Sequence, residues 1–135
     1  MLGWGGGSRI FTTRWFTRFA RGERITDSSL SEAVERAGQG LIDADLGGGV
    51  IKQRVARPGQ GRSGGYRVLI AYRAGHRAVF VYGFAKRERE NIEPDELVTL
   101  REIAAAWLRA DLKAIAQALK DGALKEVTYD EKKEN

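Results

Sequence analysis

The sequence predicts an α+β fold. It is read as a small antiparallel β-sheet of about four strands, with two helices before it and a long helical segment after it. Two stretches, Tyr66 to Arg73 and Ala78 to Phe84, alternate with period two on either side of a tight turn, as hairpin strands do. A third observation is the apolar stripe of Leu97, Leu100, Ile103, Ala104, Trp107 and Leu108, which recurs at helical spacing.

The elements follow in order. Residues 1–8 are glycine-rich and predicted to be a flexible N-terminus. Arg9 to Thr12 reads as a short first strand. Thr13 then precedes a helix in which Trp15, Phe16 and Phe19 form a stripe, expected to pack in the core, with a base-stacking platform as the competing reading. Ser29 to Glu32 matches the capping-box pattern for a second helix, with Leu30, Ala33, Val34 and Ala37 as its apolar face and Gly38 and Gly40 at its end. Leu41 to Gly49 is read as a connector. Lys52 and Arg54 alternate with Ile51, Gln53 and Val55 on the next strand.

Tyr66, Val68, Ile70 and Tyr72 share one face of their strand, and Arg67, Leu69, Ala71 and Arg73 the other. Apolar groups on both faces predict a central strand. On the next strand, Ala78, Phe80, Tyr82 and Phe84 are expected to face one way and Val79 and Val81 the other, with a bulge or close backbone approach at Gly83. Pro94 and the acids around it open the long helix, and its stripe continues through Leu112, Ile115 and Leu119, with a break expected near Ala110. A last short strand is expected at Glu126 to Tyr129. The single domain is placed at residues 9–121 and a C-terminal tail at 122–135.

Bulk properties narrow the function classes. No apolar run approaches the ~20 residues of a membrane span, and the N-terminus lacks a signal-peptide core. A cytoplasmic setting is expected. The absence of cysteine excludes disulfides, thiolate metal sites and cysteine nucleophiles. The single His76 sits in a predicted turn, where solvent exposure is the ordinary fate, so no metal site and no cofactor are implied.

Charge is the feature that points to a partner. Val50 to Arg89 holds ten Lys or Arg and one acid, Glu88, a +9 block. The remaining residues hold thirteen basic and seventeen acidic groups, a −4 scaffold. A cationic sheet with a cationic loop is the footprint of a polyanion site. An ordinary solvated face is the competing reading. The Gly-rich segment Arg57 to Gly65 lets backbone approach a phosphate, yet it lacks the Gly-Lys-Ser/Thr ending of a Walker loop. Hairpin geometry returns Phe84–Lys86 toward Tyr66 and Arg67, so Lys52, Arg54, Arg67 and Arg87 can converge on one end of the sheet. Tyr66, Tyr82 or Phe84 are the candidate stacking surfaces beside them.

These residues carry a resemblance. The stretch IKQRVARPGQGRSGGYRVLIAYR…FVYGFAKRERENI resembles the RelE/ParE toxin superfamily, nearest to its HigB-like, RelE-type members, over about residues 47–105. The resemblance implies a RelE-like fold and a type II toxin–antitoxin role. It further implies a metal-independent endoribonuclease cutting messenger RNA in the ribosomal A site, by 2′-hydroxyl attack on the adjacent phosphate. Carried over by motif, Lys52 assists deprotonation of the 2′-hydroxyl, Arg54 and Arg67 hold the phosphate, and Arg87 neutralises or protonates the leaving 5′-oxygen. Arg57, Arg62, Tyr66, Tyr82, Phe84, Lys86 and Arg89 are the implied RNA contacts. The implied partner is an antitoxin, commonly with a helix-turn-helix domain. It is expected to cover the cationic groove or to block ribosome entry; Trp107 and Leu108 offer an apolar docking alternative, although packing on the chain's own sheet is favoured. One position departs from the family: Glu93 stands where RelE has a tyrosine six residues after the arginine aligned with Arg87. Two other readings stay open, a ParE-like inhibitor of DNA gyrase and a non-enzymatic nucleic-acid-binding module.

Overall fold

The computed structural model describes residues 7–57, 59 and 64–128. Residues 1–6 of the N-terminus predicted to be flexible, Arg62 of the Gly-rich loop and residues 129–135 of the expected tail lie outside the described residues.

Thr13 ends strand β1 (Arg9–Thr13) and caps helix α1 (Arg14–Glu23), its hydroxyl accepting from the Phe16 N–H at 3.2 Å. Helix α2 (Asp27–Gly38) starts earlier than its capping-box pattern suggested. Thr26 is the cap, accepting from the Ser29 N–H at 3.1 Å, and Asp27 adds a favourable charge to the first turn. Strands β2 (Ala44–Gly47) and β3 (Val50–Val55) form a hairpin through Gly47, Gly48 and Gly49, all at positive φ. Strands β4 (Tyr66–Arg73) and β5 (Arg77–Ala85) form the second hairpin, with His76 exposed in its turn. Helix α3 (Pro94–Arg109) stops at Ala110, and Asp111 caps helix α4 (Leu112–Asp121), which places the break where it was expected. Strand β6 is Leu124–Val127, two residues ahead of its expected place.

The sheet has six strands rather than four, in the order β2-β3-β4-β5-β1-β6. It is mixed, because β1 runs parallel to β5 while every other pair is antiparallel. Strand β2 was read as connector for a physical reason: Ala-Asp-Leu-Gly is only four residues long and runs into Gly48 and Gly49, too short for its alternation to register, and it joins the sheet through backbone bonds to β3. The parallel pairing joins residues far apart in the chain, which periodicity does not register.

Helices cover both faces. Phe16, Ala20, Leu30, Ala33 and Val34 of α1 and α2 pack on Ile51, Val55, Tyr66, Val68, Ile70 and Phe80. Leu100, Ala104, Leu108, Ile115 and Ala118 of α3 and α4 pack on Val50, Leu69, Ala71, Val79, Val81 and Phe84. Leu108 is buried and Trp107 packs against the same core, so both serve the chain's own sheet rather than an open docking edge. A bulge overturns one expected alternation. Leu69 pairs with Tyr82 but Ile70 pairs with Phe80, so Val81 is the extra residue. Phe80 therefore faces α1 and α2, while Tyr82 and Phe84 face the other way. Gly83 has the close approach expected there: a Cβ would lie 2.6 Å from Phe19 Cε2.

Two arginines of the basic block are structural. Buried Arg77 donates to the Trp107 and Ala110 carbonyls at 2.8 and 2.7 Å, satisfying the end of α3, and Arg73 reaches the Leu108 carbonyl at 3.5 Å. No described helix is long and apolar enough to cross a membrane.

Candidate nucleic-acid interface

Strand register puts the basic residues in rows. Lys52 lies opposite Leu69, which lies opposite Tyr82. Arg54 lies opposite Arg67, which lies opposite Phe84. Facing partners in a sheet share a face, so Lys52, Arg54, Arg67, Tyr82 and Phe84 project from the same side. Leu69 and Phe84 are sealed beneath α3, and the cations of β3 and β4 lie beyond them.

Arg67 is 9 % exposed. Burial, and next the charge of Arg54, make its guanidinium less basic than usual, while Asp43 opposes the shift. Its Nη1 donates to the Tyr66 carbonyl at 3.4 Å. Two guanidinium-bearing residues opposite each other on neighbouring strands repel. An anion placed between them relieves that repulsion and gains charge-assisted hydrogen bonds.

A network steadies this strand. Asp43 accepts from the Arg54 backbone N–H at 2.6 Å and lies 3.7 Å from the Arg36 guanidinium. Arg36 also donates to the Arg54 carbonyl and to Glu32. On the opposite face Gln53 is fully buried. Its amide donates to the Ala33 and Leu41 carbonyls, and its oxygen accepts from the Asp43 N–H at 2.8 Å. Gln53, Asp43 and Arg36 were missed in the sequence because each contact joins segments ten to twenty residues apart.

The remaining candidates divide. Arg87 is exposed after β5, with Glu88 at 3.9 Å, and Lys86 is exposed beside it. The charges of Arg57 and Arg87 both reach the Tyr66 phenol, which places them at the same end of the sheet. Tyr66 itself is a correction. It is 2 % exposed on the α1 and α2 face, its hydroxyl donating to Glu23 at 3.1 Å. Burial first, then Glu23, pushes its pKa up. Phe84 is a second correction: at 4 % exposure it belongs to the core. Arg89 is a third. It is clamped by Glu96 at 2.6 Å, donates to the Tyr82 hydroxyl at 3.3 Å and lies over the Phe84 ring. Its charge is committed within the protein.

Tyr82 alone of the three candidate aromatics stays accessible, half-buried at the border of the cationic rows. Trp15 was expected in the core and is instead 46 % exposed, stacked on Tyr82 with centroids 4.7 Å apart. Trp15 and Phe16 are one helical step apart and cannot share a face; Phe16 takes the core position. Glu93, at the position of the family tyrosine, is the N-cap of α3 and forms a capping box with Glu96.

A concavity of about 480 Å³ lies away from these rows, between α1, α4 and β6. Among the described residues no group of His, Asp and Glu is arranged to hold a metal ion. Cations set in rows on one strand face are an arrangement that an extended polyanion can meet. A family model described as the RelE toxin of the RelE/RelB toxin–antitoxin system matches residues 8–127. The match covers nearly the whole chain, and the chain belongs to the RelE toxin family, with a cognate antitoxin as the partner this implies. No match was found among curated proteins or among solved structures.

Proposed function

We propose that this toxin is a ribosome-dependent endoribonuclease that cleaves messenger RNA in the A site. The observation that carries the reading is the Arg54–Arg67 cross-strand pair with Lys52 on the same face. In the proposed reaction the ribose 2′-oxygen attacks the adjacent phosphorus and its proton passes to Lys52. The bond from phosphorus to the 5′-oxygen breaks, the 5′-oxygen takes a proton from water to leave as a hydroxyl, and the 2′,3′-cyclic phosphate that remains can be opened by water to a 3′-phosphate. Arg54 and Arg67 stabilise the charge that builds on the phosphoryl oxygens. Arg87 faces the leaving 5′-oxygen as a stabilising charge, since a guanidinium is a poor proton donor in water. Arg57 and Lys86 guide the flanking phosphates, and Arg62 is expected to join them.

The antitoxin is proposed to carry a helix-turn-helix domain and to cover the cationic face. Expressing the chain and mapping 5′ ends of cellular messages tests the activity. Codon-phased cuts are expected. Supercoiling defects without cuts would instead indicate a gyrase inhibitor, and neither effect a non-enzymatic binding module.

A further inference from the structure

Strand β2 pairs with β3 only as far as Lys52, so Arg54 lies beyond it on the open edge of β3. The register fixes which way the Arg54 backbone points. The Tyr72 N–H donates to the Gly49 carbonyl at 2.8 Å, and bonded pairs alternate with unbonded ones along an antiparallel ladder. Arg54 and Arg67, five steps along an unbroken register, are therefore an unbonded pair. In such pairs the α-carbons are at their closest, about 4.5 Å apart. The Arg54 N–H and C=O then face outward, away from β4, as unpaired groups of a sheet edge do.

Two side chains take those groups. The Asp43 carboxylate accepts from the Arg54 N–H at 2.6 Å, and the Arg36 guanidinium donates to the Arg54 carbonyl. Together they make the two bonds that a neighbouring strand would make to one residue. Arg36 is itself fixed. Its side chain is 12 % exposed, its Nε donates to Glu32 at 2.8 Å, and Asp43 lies 3.7 Å from it. The Asp43 N–H is tied in turn to the buried Gln53 amide oxygen. The position so pinned is one whose side chain repels its neighbour across the ladder. Without the two bonds, repulsion between Arg54 and Arg67 favours an outward swing of this end of β3.

We propose that Asp43 and Arg36 are positioning residues, a side-chain substitute for strand pairing that holds Arg54 against Arg67 at the spacing a phosphate bridges. This rests on the RNA-cleaving reading and adds what keeps its two phosphate-holding arginines together before the anion arrives.

Binding of an oligouridylate with 2′-O-methyl riboses, which 2′-oxygen attack cannot cut, tests this without cleavage. Each variant is first checked for retained fold by circular dichroism. Asp43→Ala should weaken binding about two- to tenfold, as the loss of one hydrogen bond does. Asp43→Asn keeps an oxygen for the Arg54 N–H and should bind as wild type or more tightly. The sign separates the explanations. If Asp43 acted only through its charge, both variants would bind more tightly, because a negative group beside the site is gone. That outcome, or wild-type affinity in Asp43→Ala, overturns the proposal. Arg36→Met keeps the apolar stem, should weaken binding by a similar factor, and serves where Asp43→Ala does not fold. In an Arg54→Ala background neither substitution should weaken binding further, since both act through Arg54. Losses that add to that of Arg54→Ala overturn the proposal as well. The expected binding pattern without mapped cuts in cells would reject the ribonuclease reading and keep the positioning role.

Discussion

Arg54 and Arg67 face each other across two hydrogen-bonded strands, and Arg67 carries its charge almost out of water. The two like charges repel, and an anion placed between them relieves that repulsion, which favours charge developing at that point. Arg67→Ala and Arg87→Ala should each abolish toxicity with the fold retained by circular dichroism. Losing one such donor removes about 3 kcal/mol of transition-state stabilisation. A folded variant that still arrests growth like wild type would remove that residue from the site. Lys52→Arg keeps the charge but replaces a compact ammonium with a planar fork. Cleavage should nearly cease while ribosome binding persists; equal cleavage would reduce Lys52 to an electrostatic contact. Gly83 is constrained by space: a Cβ meets Phe19 and Phe16 at 2.6 and 3.1 Å. Gly83→Ala should destabilise the protein by about 1–3 kcal/mol, as overpacking does, visible as a lowered denaturation midpoint.

Among the elements, α3 is held at both ends by arginines. Arg77 satisfies its C-terminal carbonyls, and Arg89 binds Glu96 at its N-terminus. The hydrogen bond from Arg89, then the Glu93 N–H, hold the Glu96 carboxyl below its usual pKa. A carboxyl depressed in the folded state adds stability above its unfolded pKa and loses it as pH falls through the folded value. Wild type should accordingly melt higher than Glu96→Gln at neutral pH, and the gap should close in acid below the ordinary carboxylate range. A gap independent of pH would show that the amide replaces the carboxylate fully. Strand β3 depends in the same way on distant parts, with Gln53 tying it to α2 and to the connector through three hydrogen bonds.

For the whole molecule, the sheet concentrates cation on one end while acidic residues dominate elsewhere. Single-stranded RNA binding should weaken with salt at a log–log slope of about −0.7 per phosphate neutralised. Lys52, Arg54, Arg67, Arg57 and Arg87, each neutralising one phosphate charge, together predict a slope of about −3.5. A slope near zero would remove phosphate contacts from the account. An antitoxin that covers this face should associate fast and in a salt-sensitive manner. Insensitivity to salt would indicate an apolar, steric mode of silencing.

Periodicity sufficed for the hairpin of β4 and β5, for the four helices and for the break at Ala110, because each is written in neighbouring residues. The row of Lys52, Arg54 and Arg67 was equally legible, since strand alternation and a hairpin return are local rules. The sequence by itself thus determined an α+β chain with a cationic strand pair, and its motif carried the family. Tertiary structure decided what depends on contacts across the chain. It brought β1 in parallel beside β5 and admitted β2, whose four residues are too few to set a period. One inserted residue, Val81, reversed the faces of the positions after it and aimed Tyr82 at the cations. Burial removed Tyr66 and Phe84 from the surface, and Glu96 claimed Arg89. Trp15 was left half exposed because Phe16, one step along the same helix, had filled the only core position available. Composition and spacing cannot rank two adjacent aromatic residues for one place in a core; packing against a particular strand does.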